Sequence, residues 1–263
     1  MSYIDIAKIF EEKSDDIDFF ENKEVLSIKS LLINILDKET KQLIFLIGDP
    51  GVGKSAFLNN IEKLLEDRYS IIKFDTPFME PVDFIKTLIK KRGESIDEFS
   101  LESLLKKVID IYKDENYLIT IDEAQLLSNK MIELIRILAD SKAFWFLLAM
   151  HKHESKEILD RPQFSSRPHK VLELGKLQKS ECEDFIYTTL MSAQKSYFAK
   201  ELSKKYINFI YKVTKGNFRE LKKLLFNLFL LLDYAIGNNK KKYQKLSKCL
   251  LIMAAIEGRL IDG

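Results

Sequence analysis

Gly48, Gly53, Lys54 and Ser55 stand in the chain as G-x-x-x-x-G-K-S, inside the stretch LIFLIGDPGVGKSAFL at 43–58. Glycines at this spacing let backbone N–H groups turn inward around phosphate oxygens, and a helix opening at the lysine aims its positive end at the same spot. The lysine neutralises the outer phosphates of a triphosphate, and the hydroxyl beside it reaches Mg2+. The chemistry on offer is the cradling of ATP by Gly48, Asp49, Pro50, Gly51, Val52, Gly53, Lys54, Ser55 and Ala56. A second constellation lies in YLITIDEAQ, where an apolar run ends in two acids. Asp122 is placed to hold the metal through water, and Glu123 to orient an attacking water. Alone, adjacent acids after a strand are often just a solvated strand end. Behind a phosphate-binding loop they supply what hydrolysis needs.

These groups require a scaffold that brings distant segments to one edge. Five short runs read as strands: LIFLI (43–47), SIIKF (70–74), YLITI (117–121), FWFLLAM (144–150) and KVLEL (170–174). Most are continuously apolar, the pattern of strands buried on both faces of a parallel sheet, and helical stretches separate them. Met131, Leu134, Ile135 and Leu138 would form one face of such a helix. Residues 1–175 therefore predict a three-layer α/β core. After Gly175 the strands stop. Ser180 with Glu183 has the form of a capping box opening a helix to about Met191, a second helix covers roughly 199–214, and Asn217 with Glu220 caps a third reaching Gly237. That makes 176–237 a small all-helical domain, followed by a basic loop and one amphipathic helix at 238–263.

Composition narrows the class of function. Lys and Arg number 42 against 40 Asp and Glu, a formal charge of +2, so nucleic acid or acidic lipid would have to be met by a local patch. The dense basic run is NNKKKYQKLSK, with Lys240–Lys242 at its centre; such a run is more often a solvated face. The longest apolar run, LLFNLFLLLDYAI, is shorter than the roughly 20 residues of a membrane span and reads as a buried helix. The acidic N-terminus lacks the form of a secretory signal, which predicts a cytoplasmic protein. Cys182 and Cys249 have no metal or disulfide spacing. His151 and His153 lack a third ligand for a metal site.

Taken together, GDPGVGKS, LITIDEAQLL and GNFRELKKLL resemble the AAA+ ATPases, most closely the ExeA or GspA branch, which is akin to TniB-type transposition ATPases and origin-recognition ATPases. The resemblance spans roughly residues 18–236. It implies the sheet order 5-1-4-3-2 and a helical lid. It further implies that His151, at the end of the fourth strand, is the polar sensor of the γ-phosphate or attacking water, although many relatives have Asn, Thr or Gln there. Arg219 becomes the lid arginine that reaches the γ-phosphate; a cation in a first helical turn conflicts with the helix dipole, which a nearby anion would resolve. Arg167 becomes the finger acting across a subunit boundary, with Arg161 second, and a homo-oligomer follows. The polar residue often found after the second strand would be Asp75 or Thr76. Residues near Ile17 to Phe20 would meet adenine.

The ExeA likeness predicts an ATPase serving a secretion, type IV pilus or DNA-uptake machine, held at the inner face of the membrane by a protein partner, since the chain has no transmembrane segment of its own. The transposition and origin likeness predicts a DNA-associated loader or regulator. A nucleotide-gated scaffold without turnover is the third class, and Asp122 with Glu123 speaks against it.

Overall fold

The computed structural model describes residues 3–11, 19–66, 68–77, 80–97, 100–161, 164, 168–202 and 204–262. It divides into two compact units: Lys23–Pro50 with Lys54–Leu174, and Met1–Asn22 with Gly51–Gly53 and Gly175–Gly263. Helix α1 (Tyr3–Ile9) belongs to the second unit, and the sheet unit starts at α2 (Lys23–Lys38).

From there the sheet unit runs β1 (Leu43–Gly48), α3 (Lys54–Asn59), α4 (Ile61–Leu64), β2 (Ser70–Phe74), α5 (Pro81–Lys91) and α6 (Leu101–Tyr112). It continues with β3 (Tyr117–Ile121), a 3-10 turn (Ala124–Leu126), α7 (Asn129–Asp140), β4 (Trp145–His151), α8 (Lys152–Leu159) and β5 (His169–Glu173). All strands are parallel and ordered β2-β3-β4-β1-β5, the order implied by the AAA+ resemblance read in reverse. Every residue of β1 is buried, which explains its unbroken apolar sequence: both faces of this inner strand are covered. Phe45 and Ile47 join one large cluster with Phe84 and Leu88 of α5, Leu104 and Val108 of α6, and Met131 and Ile135 of α7. The alternate residues Ile44 and Leu46 are as deeply buried, and α3 contacts β1 and β4 while α2 contacts β5. The sheet is thus the middle of three layers. Helix α7 buries Met131, Leu134, Ile135 and Leu138 as the spacing predicts, and Ser128 caps it by accepting from the Met131 N–H at 3.3 Å.

The helical unit holds α9 (Lys179–Ser192), α10 (Ser196–Glu201), α11 (Lys204–Thr214), α12 (Phe218–Gly237) and α13 (Lys248–Glu257). Its cluster is built on Phe185, Ile210, Leu224, Leu228 and Leu251. Several sequence expectations are corrected here. The described residues among the first 22 cluster with this unit rather than with the sheet. Ile6, Ala7 and Phe10 bury an apolar face in its core, Phe10 stacks on Phe229 at 5.7 Å, and the Ile4 N–H donates to Asp233 Oδ1 at 3.1 Å. The tail after 238 is likewise part of this core, since Leu246, Leu250 and Leu251 are buried in it. Helix α9 opens two residues before the expected cap: the Gln178 N–H donates to Glu181 Oε2 at 2.8 Å, so Gln178 and Glu181 do the work expected of Ser180 and Glu183. The helix expected over 199–214 is two helices. Asn217 does cap α12, accepting from the Glu220 N–H at 3.2 Å.

Between α11 and α12 the chain turns through Lys215 and Gly216, both at positive φ. A Cβ on Gly216 would lie 2.1 Å from the Leu177 carbonyl oxygen, and the Leu177 N–H donates to the Gly216 oxygen at 2.9 Å. Only glycine fits that approach. Among the described residues, no helix is long and apolar enough to cross a membrane.

Candidate active site

Parallel strands end on one side of the sheet, and the loops there form the crevice in which open α/β sheets hold ligands. Three neighbouring strands, β3, β4 and β1, deliver the predicted residues to that side: Asp122 and Glu123 after β3, His151 at the end of β4, and the glycine loop after β1. Register puts Gly48 of β1 opposite His151 of β4.

The loop turns at Gly51 (φ +79) and Gly53 (φ +112), backbone conformations that a side chain strongly disfavours. Lys54 then opens α3 and is only 7% exposed. Its Nζ donates to the carbonyls of Gly48 at 2.9 Å and Asp49 at 3.1 Å, so the ammonium is fixed in the hollow of its own loop. Ser55, one residue on, is exposed, and Val52 is buried. The Arg219 backbone N–H, in the first turn of α12, donates to the Gly51 oxygen at 3.0 Å, a contact inside the helical unit, to which 51–53 belongs. The Arg219 residue itself is exposed.

Asp122 is 9% exposed, and its N–H continues the sheet by donating to the Phe74 oxygen at 3.0 Å. Its Oδ1 accepts from the Glu123 N–H at 2.8 Å. Glu123 stands at φ 50, ψ 38, a left-handed conformation that a non-glycine residue keeps only when its surroundings hold it there. The 3-10 turn does so, with the Leu126 N–H donating to the Glu123 oxygen at 2.9 Å. The Glu123 carboxylate accepts a short hydrogen bond from Gln125 Nε2, and its Oε2 lies 3.6 Å from His151 Nε2. The other imidazole nitrogen, Nδ1, is 3.7 Å from Glu154 Oε1 on α8.

Lys152, also on α8, pairs with Glu173, and that hydrogen bond holds its ammonium above the usual lysine range. Arg161 is engaged by Asn129, to whose Oδ1 it donates at 2.7 Å. Arg167, and Ile17 of the expected adenine contact, lie outside the described residues. Phe20 instead meets Phe185 in the helical unit at 5.4 Å. Asp75 and Thr76 are exposed.

The fit to Mg2+ follows from the donor set. No group of three or more His, Cys, Asp or Glu suited to a metal exists among the described residues. Mg2+ bound with a triphosphate takes one or two protein oxygens and fills its remaining positions with phosphate and water. Buried Asp122 and exposed Ser55 are donors of that kind.

Sequence reasoning missed Gln125 and Glu154. Gln125 sits two residues after Glu123, and Glu154 three after His151, so each was legible as a local neighbour. Their joining into one array, through His151 Nε2 facing Glu123 Oε2, depends on β3 and β4 being adjacent.

Strand order and glycine loop together define a P-loop fold of the AAA+ class. Consistent with it, residues 37–159 match the family described as AAA domain. Comparison with curated proteins by sequence gives no match. Among solved structures, the chain is similar to Cdc6p from Pyrobaculum aerophilum, with a TM-score of 0.63 at 14% identity over 88% of this chain and 66% of that one. It is similar to the Aeropyrum pernix ORC2 protein in ADPNP-ADP complexes, with a TM-score of 0.58 at 14% identity over 95% of this chain and 71% of that one. The Aeropyrum pernix ORC1 protein in complex with DNA gives a TM-score of 0.61 at 14% identity over 95% and 69%. This chain therefore spans about two thirds of the Cdc6p chain's length.

Proposed function

We propose that the protein is an AAA+ ATPase that binds Mg-ATP and hydrolyses its β–γ phosphoanhydride. The observation that carries this reading is the convergence, at one end of three adjacent strands, of a buried loop lysine, a buried aspartate and a glutamate held beside a histidine. Lys54 and the loop amides would bind the phosphates; the complex of the Aeropyrum pernix ORC2 protein with ADPNP and ADP supports nucleotide as the ligand. Asp122 and Ser55 would hold Mg2+, which neutralises charge on the β- and γ-oxygens when bound. Glu123 accepts a proton from the attacking water, the water oxygen bonds to the γ-phosphorus, and the bond to the bridging oxygen breaks with its electron pair leaving on ADP. Arg219 is the residue that the motif likeness assigns to the γ-phosphate, a role that Arg219→Ala would test through turnover. Arg167 acts on a neighbouring copy, which makes turnover depend on assembly.

Glu123→Gln should lower turnover by about 10²- to 10⁴-fold, the worth of a positioned general base, while ATP binding survives. Turnover unchanged in that variant would overturn the hydrolytic reading and favour the nucleotide-gated scaffold.

For the process served, the motif likeness to ExeA supports an ATPase docked by a protein partner on a secretion, pilus or DNA-uptake machine at the inner membrane face. A second reading, a DNA-associated loader or regulator, is favoured by a specific observation. Lys240, Lys241, Lys242, Lys245 and Lys248 are all exposed, on the turn from α12 into α13. The likeness to the ORC1 protein in complex with DNA points the same way. Duplex-DNA binding that weakens steeply with salt and is lost on neutralising Lys240–Lys242 would decide for it; no binding at low salt would count against it.

A further inference from the structure

A glutamate that serves a water molecule needs one carboxylate oxygen held and the other presented. Among the described residues, the polar contacts of the Glu123 side chain converge on a single atom: Oε2 accepts from Gln125 Nε2 and faces His151 Nε2 at 3.6 Å. The histidine ring is in turn faced from behind by Glu154, whose Oε1 is 3.7 Å from Nδ1. Three chain segments contribute. Gln125 lies in the 3-10 turn, His151 ends β4 and stands as the N-cap of α8, and Glu154 occupies the first turn of that helix. The array is anchored on sheet and helix, and its Glu123 backbone is fixed in the left-handed region.

We propose that Gln125 and Glu154 are positioning residues for the reaction: Gln125 holds Glu123 Oε2 directly, Glu154 sets the His151 ring that flanks the same oxygen, and Oε1 is thereby left for the attacking water. This rests on the reading of Glu123 as the group that orients water. The role of Glu154 is indirect, exerted wholly through His151. Positioning of this kind acts on the reacting geometry and not on the affinity for nucleotide, because displacement of a catalytic group by about 1 Å costs about 10²-fold in rate.

Steady-state ATP hydrolysis by the full chain tests it, with each variant checked for its melting temperature. Gln125→Leu should lower kcat by about tenfold or more, with KM for ATP within about twofold of the parent. Glu154→Ala should lower kcat by a smaller factor, and that effect should vanish in a His151→Ala background. If the parent hydrolyses ATP and Glu123→Gln does not, but Gln125→Leu keeps the parental kcat, the positioning role falls and the ATPase reading stands. An effect of Glu154→Ala that adds fully to that of His151→Ala removes the relay through the histidine. Failure of the parent to hydrolyse ATP overturns both readings together.

Discussion

Two lysines flank β1, and both ammonium groups are held by main-chain carbonyls. Lys54 binds the Gly48 and Asp49 oxygens at the end of the strand. Lys41, just before it, binds the oxygens of Lys113, Glu115 and Ala143. The difference lies in who supplies the carbonyls. Those of Lys54 are its own loop, five and six residues back, so these two contacts are local. Those of Lys41 come from residues 72 to 102 positions on, just before β3 and β4, so it clamps three strand entrances. Under the proposed function, the same charge serves ligand binding at one edge and fastens the structure at the other. Burial pulls the Lys41 ammonium below the usual lysine value, with the charges of Asp114 and Glu115 opposing.

The contrast can be broken at either end. Lys54→Ala should weaken ATP binding by about 10- to 100-fold, as expected for losing a charged hydrogen bond of about 1.5–3 kcal/mol, and leave the urea midpoint almost unchanged. Titration with a fluorescent ATP analogue, alongside urea unfolding, reads both. Lys41→Met should do the reverse, with unchanged nucleotide affinity and a stability loss of about 1–3 kcal/mol for carbonyls left without a donor. A parental midpoint in Lys41→Met would mean that the clamp holds nothing.

The smallest effect sharpens the same contrast through pH. Near the Lys41 end, the buried Tyr112 hydroxyl donates to the Leu88 oxygen at 2.8 Å, and burial pushes its pKa up to about 12 from 10.0. Between those values the unfolded chain has released a proton that the folded chain keeps, so stability from this group is present below pH 10 and is lost as pH rises toward 12. The stability difference between the parent and Tyr112→Phe should therefore shrink from pH 9 to pH 11 in urea titrations. A constant difference would show that the phenol ionises alike in both states.

How much of this was legible depended on the range of the physics involved. The glycine loop and β1 are local facts: six buried residues in sequence and a turn that needs positive φ leave few alternatives. The acid pair after β3 and the histidine after β4 could be placed at strand ends because apolar runs stop there. The sheet order was reached through resemblance, since periodicity carries no information on which strands pair. Helix α1 shows the opposite limit: Ile6, Ala7 and Phe10 announce a face that needs covering, but nothing in seven helical residues says that α12 covers it. The Lys41 clamp was invisible for the same reason, because a lone lysine before a strand looks like any solvated one. Gln178 took the cap from Ser180 because its partner Glu181 reaches back to the Gln178 amide, a competition between neighbouring caps that residue type alone does not resolve.

Gly216 carries a consequence for what evolution can do with this chain. With the Leu177 oxygen 2.1 Å from where any side chain would begin, the site has no conservative replacement. Arg219 follows three positions later, in the first turn of α12. A single methyl group added at Gly216 must push one of two backbones aside, and α12 begins only two residues on.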